Sequence, residues 1–195
     1  ISYFGWSYSG TKLAIGYYED RIDIWDINNF SLINTITVGI SGVGDMVWSN
    51  DDNFLFVGTG NTDGPAIRKF DLNTGTSYTF INRGLINGLI FFENNSRMIA
   101  FGYNQVIFIN ANDLTVYDFF ATYDRAIIPR GDPLPRITSI DLHPNQEMFA
   151  IGYTNYKVEI WGVETKQLVT TLGAGFPLFD IYGVTDLAFN ETGSR

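Results

Sequence analysis

Cysteine is absent from this sequence and histidine occurs once, at position 143. The first absence removes disulfides, thiolate metal sites and cysteine nucleophiles together. The second leaves His143 with no partner to complete a zinc site. Basic residues are also scarce, 12 Lys and Arg against 21 Asp and Glu, for a net charge of -9. That balance argues against a dominant basic surface for nucleic acid, while local basic patches stay open. No apolar run approaches the roughly 20 residues that cross a bilayer as a helix. There is no Gly-x-Ser-x-Gly elbow. The glycine clusters Gly39–Gly44 and Gly58–Gly64 precede no helix whose N-terminus would hold phosphate. A cysteine-free chain is compatible with a reducing compartment. What is abundant is apolar: 45% of the 195 residues, 16% of them aromatic, enough for a sizeable core in a folded chain.

The clearest pattern lies between Arg136 and Gly173. Ile137, Ser139 and Asp141 alternate with Thr138, Ile140 and Leu142 up to a turn at His143-Pro144-Asn145. A short apolar run, Met148–Ile151, ends at Gly152. Lys157, Glu159 and Trp161 then alternate with Val158 and Ile160, and Gln167–Leu172 follows a polar turn. Four short strands joined by tight turns predict an antiparallel meander.

The same unit recurs. Taking the residue ten positions before a glycine pairs Trp6 with Gly16, Trp48 with Gly58, Phe92 with Gly102 and Leu142 with Gly152, at intervals of 42, 44 and 50 residues. Phe189 opens a further unit 47 residues on. Third strands align at Trp25, Phe70, Ile109 and Trp161, and fourth strands at SLINTITV, TSYTFI, TVYDFF and QLVTTL. Four strands per unit and a period just above 40 residues predict an all-β propeller of four-stranded antiparallel blades. The units run over about 1–42, 43–86, 87–136 and 137–183, with an incomplete one at 184–195.

These residues resemble the WD-repeat family along essentially the whole chain. The family's Trp-Asp pair stands at Trp25-Asp26 and becomes Phe70-Asp71, Ile109-Asn110 and Trp161-Gly162 in later units. The turn that is usually Ser-Pro-Asp-Gly appears as Ser7-Tyr8-Ser9-Gly10, Ser49-Asn50-Asp51-Asp52, His143-Pro144-Asn145-Gln146 and Asn190-Glu191-Thr192-Gly193. The Gly-His dipeptide is missing, so the usual His, Ser/Thr, Trp and Asp tetrad cannot form in its ordinary version. The resemblance implies a disc of radial blades, each buried by its neighbours, and therefore part of a larger ring. Seven blades, the family norm, would take roughly 300 residues at this period.

The candidates for chemistry read as structural. His143 occupies a turn, and the pairs Glu19-Asp20 and Asp51-Asp52 lie where acids cap local backbone. No catalytic, cofactor-binding or metal-ligating residues are expected. The informative departures are two long connections: ATYDRAIIPRGDPLPR, with Arg125, Arg130 and Arg136, and GAGFPLFDIYG, with Phe176, Phe179 and Tyr182. In a propeller both emerge at the end that also carries Tyr17, Tyr18, Tyr103 and Tyr153. Tyrosine and arginine favour protein interfaces. The expected function is a non-catalytic scaffold within a larger intracellular assembly, cytoplasmic, cytoskeletal, ciliary or nuclear. Its partners would be other proteins or peptides of a multi-subunit complex, with nucleic acid disfavoured and no membrane span. The alternative is an enzyme or ligand-binding propeller whose channel gathers first-strand acids such as Asp45, Asp141 and Asp186.

Overall fold

Alternating segments and short continuous apolar runs both form strands in the computed structural model, which describes residues 1–39, 42–59, 67–80, 86–102, 104–121, 135–173 and 183–193. Among them are sixteen strands in four sheets. The first sheet holds β1 (Tyr3–Trp6), β2 (Lys12–Gly16), β3 (Arg21–Asp26) and β4 (Ser31–Thr37). The second holds β5 (Val43–Trp48), β6 (Phe54–Thr59), β7 (Ile67–Asp71) and β8 (Ser77–Phe80). The third holds β9 (Gly88–Phe92), β10 (Arg97–Phe101), β11 (Gln105–Asn110) and β12 (Val116–Ala121), and the fourth β13 (Ile137–Leu142), β14 (Met148–Tyr153), β15 (Val158–Gly162) and β16 (Leu168–Leu172). Strands within each sheet neighbour one another in chain order and run antiparallel. The expected four-stranded blades are therefore present, and the first strands end at Trp6, Trp48, Phe92 and Leu142 as the repeat predicts. Residues 183–193 form no strand, although the expected turn closes there, with Gly193 N donating to the Asn190 carbonyl at 2.9 Å. No helix among the described residues is long and apolar enough to cross a membrane.

Internal contacts divide the chain into two units, Ile1–Ala100 with Phe108–Asp118, and Phe101–Ile107 with Phe119–Arg195. In the first, β5 contacts both β1 and β9. Ala14, Ile22 and Ile24 of the first sheet share a core with Met46, Trp48, Leu55, Val57 and Phe70 of the second. Fully burying each large side chain contributes about 1.5–3 kcal/mol. Phe56 then meets Phe91 edge-on, with ring centroids 5.0 Å apart. In the second unit Phe120 stacks on Trp161 at 4.7 Å and lies 6.3 Å from Phe149.

The repeat glycine has a steric cause. A Cβ on Gly16 would lie 3.1 Å from Val43, on Gly58 2.7 Å from Ile86 Cγ2, and on Gly152 2.6 Å from Val184 Cγ1. Each neighbour is an apolar residue at the junction with the next unit: Val43 and Val184 open theirs, and Ile86 immediately precedes its own. Gly58→Ala should therefore cost about 1–3 kcal/mol, because both walls of the contact are packed. Urea denaturation measures the loss, and adding Ile86→Ala should recover part of it relative to Ile86→Ala alone.

Candidate functional site

The turns between second and third strands lie at the end of each sheet where the chain leaves for the next; we call this the upper end. In the first sheet Tyr17 and Tyr18 follow Gly16, which places them at the β2–β3 turn. Tyr17 N donates to the Arg21 carbonyl at 2.9 Å and closes that turn. Tyr18 is 74% exposed. The Arg21 guanidinium sits 4.2 Å from the centre of the Tyr17 ring and 3.5 Å from Asp23. In the fourth sheet Arg136 is exposed, and its backbone exchanges hydrogen bonds with Thr154, donating to Oγ1 and accepting from N at 3.0 Å each. Tyr153 departs from expectation. Its ring is fully buried because β14 continues one residue past Gly152, turning Tyr153 inward. Arg125, Arg130, Phe176, Phe179, Tyr182 and Tyr103 lie outside the described residues.

Tyr17 and Tyr153 begin one motif with two outcomes. Tyr17, Arg21, Asp23 and Trp25 have the same spacing as Tyr153, Lys157, Glu159 and Trp161. In the fourth sheet buried Glu159 accepts from Tyr153 Oη at 2.7 Å, from Trp161 Nε1 at 2.9 Å and from Lys157 Nζ. In the first sheet Asp23 is one methylene shorter and accepts from Thr35 Oγ1 at 2.9 Å, while Trp25 Nε1 is buried with no partner. The shorter acid leaves Tyr17 half-exposed under Arg21. The shared spacing was a signal available in the sequence, visible once the two third strands are superposed. Glu159→Asp should destabilise the protein by about 2–3 kcal/mol, since it strands buried donors, whereas Asp23→Glu should gain about 1 kcal/mol by reaching Trp25 Nε1. Thermal denaturation of both variants checks the pair.

The first-strand acids serve neighbouring backbone. Asp45 is buried and accepts from Met46 N and from Leu89 N of the third sheet, both at 2.7 Å. Asp141 accepts from Phe189 N, and Asp186 from Leu187 N at 2.9 Å. Asp52, in the β5–β6 turn, accepts from Tyr8 N at 2.8 Å and from Ser9 in the first sheet. Its burial alone would raise its pKa, but the bonds from Ser9 and Tyr8 outweigh that and hold it low. Trp48 Nε1 donates to the Gly5 carbonyl at 3.0 Å. Lys69 replaces an apolar residue in β7. Its Nζ is bonded to the Ala111 and Asn112 carbonyls at 3.0 Å each and lies 4.3 Å from the Phe54 ring centre, with burial lowering its pKa. His143 also behaves structurally, with its ring edge-on to Phe189 at 5.0 Å. No group of three or more His, Cys, Asp and Glu suited to a metal occurs among the described residues.

Burial pushes the Asp45 pKa up to about 6, against the opposing effect of its bonds from Tyr3, Leu89 and Met46. A carboxyl whose pKa rises on folding binds its proton more tightly in the folded state. Its contribution is favourable below the unfolded value and is lost as pH climbs through about 6. Asp51, Asp52, Asp71 and Asp113, all held low by local hydrogen bonds, push the other way. The Asp45 effect is therefore isolated as a difference. Relative to wild type, Asp45→Asn should gain about 1–3 kcal/mol between pH 4 and pH 7.5, read from paired urea titrations.

Three further polar atoms are buried without a partner near the upper end of the first two sheets: Ser2 Oγ, Asp20 Oδ1 and Arg68 Nε. Asp20 and Arg68 are connected through one short stretch of chain. Val38 N donates to the Asp20 carbonyl at 2.8 Å, and the next residue, Gly39, lies against the Arg68 guanidinium.

No protein-family profile and no curated protein matches the sequence. Solved structures do match. The chain is similar to the β-propeller domain of Cps50 (Swd1) from Myceliophteria thermophila, with a TM-score of 0.78 at 16% identity, over 98% of this chain and 59% of that one. It is also similar to a chain in the crystal structure of the mitotic checkpoint complex, with a TM-score of 0.71 at 19% identity, over 89% of this chain and 51% of that one. The chain thus spans between half and three-fifths of the length of these neighbours. At such identities the likeness is one of fold, and the fold is that of a β-propeller.

Proposed function

We propose that this chain is a non-catalytic scaffold, part of a larger propeller ring, that presents its upper-end tyrosines, arginines and inter-blade connections to protein or peptide partners in an intracellular assembly. One observation carries the reading. Exposed Tyr18 and the Tyr17–Arg21 stack stand at the end of the sheets where Asp20 Oδ1 and Arg68 Nε are withdrawn from water without partners. Unpaired buried polar groups are costly, and a partner that supplies one donor and one acceptor relieves both. Tyrosine adds contact area at small entropic cost. The fold neighbours support the reading, since one of them was solved within the mitotic checkpoint complex. The open side of the first sheet supports the larger ring: Phe4 and Trp6 are more than half exposed on the face turned from the second sheet, where a further blade would cover them.

A catalytic channel is the weaker reading, because Asp45 and Asp141 are occupied by the backbone amides of Leu89 in β9 and of Phe189. The test is quantitative affinity capture with the intact protein. Tyr18→Ala with Arg68→Ala, and separately Arg125→Ala, Arg130→Ala, Phe176→Ser and Phe179→Ser together, should each lower recovery of specific partners about tenfold or more. Unchanged recovery by both variants, with wild-type unfolding curves, sinks the assignment.

A further inference from the structure

We propose that the groove between the first and second sheets, along the rim and below the upper end, receives a short extended peptide that pairs with the open edge of β4 and carries a basic residue toward Asp71. The groove holds about 330 Å³ and is lined by Asn34, Thr35, Ile36 and Thr37 on one side and by Phe70, Leu72 and Ser77 among the residues opposite. Three observations select this occupant.

First, β4 is the last strand of its sheet, so one side of its backbone has no ladder partner among the described residues. Proteins ordinarily guard such an edge with charge, proline or a bulge. β4, Ser31–Thr37, has no charge and no proline. Two features guard it: a bulge, where Ile24 pairs with Asn34 and Trp25 with Leu32 and Ile33 is left unmatched, and the Asn34 side chain, whose Oδ1 accepts from Thr35 N at 2.8 Å and is displaced by an incoming backbone. The regular stretch beyond that bulge is Asn34–Thr37, the four residues that line the groove. Extended backbone is the ligand that satisfies a regular open edge.

Second, the floor is apolar and only partly covered. Ile36 and Leu72 are half-buried against the core, in which Phe70 is buried. An extended peptide sends alternate side chains to one side, which suits small β-branched residues over this floor. Third, the charged residue lining the groove is Asp71, with Lys69 close enough to act on it. Asp71 is held ionised because Thr74 N, Asn73 N and the Thr74 side chain bond its carboxylate. Asp26 lies at the same end of β4, paired with Ser31. A lysine or arginine at that end of the peptide is the complement. This surface uses none of the upper-end tyrosines, so it stands or falls independently of the scaffold reading above.

The experiment is fluorescence anisotropy on the intact protein with a labelled Lys-Val-Thr-Val-Thr-Lys peptide amide. The expected result is saturable binding. N-methylation of alternate peptide nitrogens removes the edge-pairing donors and should weaken binding about tenfold or more. Asn34→Arg, at an exposed position, should do the same by occupying the groove and repelling the probe. Asp71→Asn, which keeps the turn cap, should lower affinity severalfold at low salt and little at high salt. Absence of saturable binding up to about 1 mM overturns the proposal. So does equal affinity for the N-methylated peptide, or an unaltered affinity in Asn34→Arg. If β4 instead pairs with a second copy of the chain, sedimentation shows a dimer that Asn34→Arg dissociates, and the peptide assignment is then wrong.

Discussion

The constraint on which the rest of the structure depends is the unpaired inner edge of each first strand. A four-stranded meander satisfies the backbone between its strands, yet the free side of the first strand still presents amides and carbonyls that need partners where water is excluded. The side chains of the first strands supply several of them. Asp45 takes up its neighbour Met46 N and Leu89 N of the next sheet, Asp141 takes up Phe189 N, and Trp48 returns a donor to the Gly5 carbonyl. The polar groups thus tie one sheet to the next, while the apolar faces behind them supply most of the stabilisation. Dispersion and burial hold the sheets together without direction. The acids and the indole set their register.

This division of labour explains why acids on the innermost strands invite a catalytic reading from sequence. Carboxylates at repeated first-strand positions look like a convergent site. In the structure each accepts an amide along the strand line, and at Asp45 the accompanying burial pushes the pKa up to about 6. A raised pKa here comes from a structural tie in a dry environment, and it has a cost above that pH.

Much of the fold was legible because two of its causes operate on sequence directly. Strand period and the interval between glycines follow from backbone geometry and from close approach of the next unit, so the ends of the first strands fell where the repeat put them. The candidate face was less legible. Tyr17 and Tyr153 follow equivalent glycines, but whether the ring turns out or in depends on a distant acid, Asp23 or Glu159, and on the reach of one methylene. Lys69 was more hidden: a cation where other third strands carry Ile24, Phe108 or Ile160 looks like a misfit until the Ala111 and Asn112 carbonyls are brought to it by the turn of another sheet. That pairing is non-local, and periodicity carries no record of it.

The contact between each repeat glycine and the residue at the junction with the following unit has a consequence for biosynthesis. The slot over Gly16 is filled by Val43, and that over Gly58 by Ile86, 27 and 28 residues later in the chain. A sheet leaving the ribosome is therefore hydrogen-bonded within itself before its second strand is sealed. Sealing waits for the next stretch of polypeptide to emerge. A translational pause just before Val43 or Ile86 would hold that slot open, within reach of chaperones and of any apolar side chain in the neighbourhood.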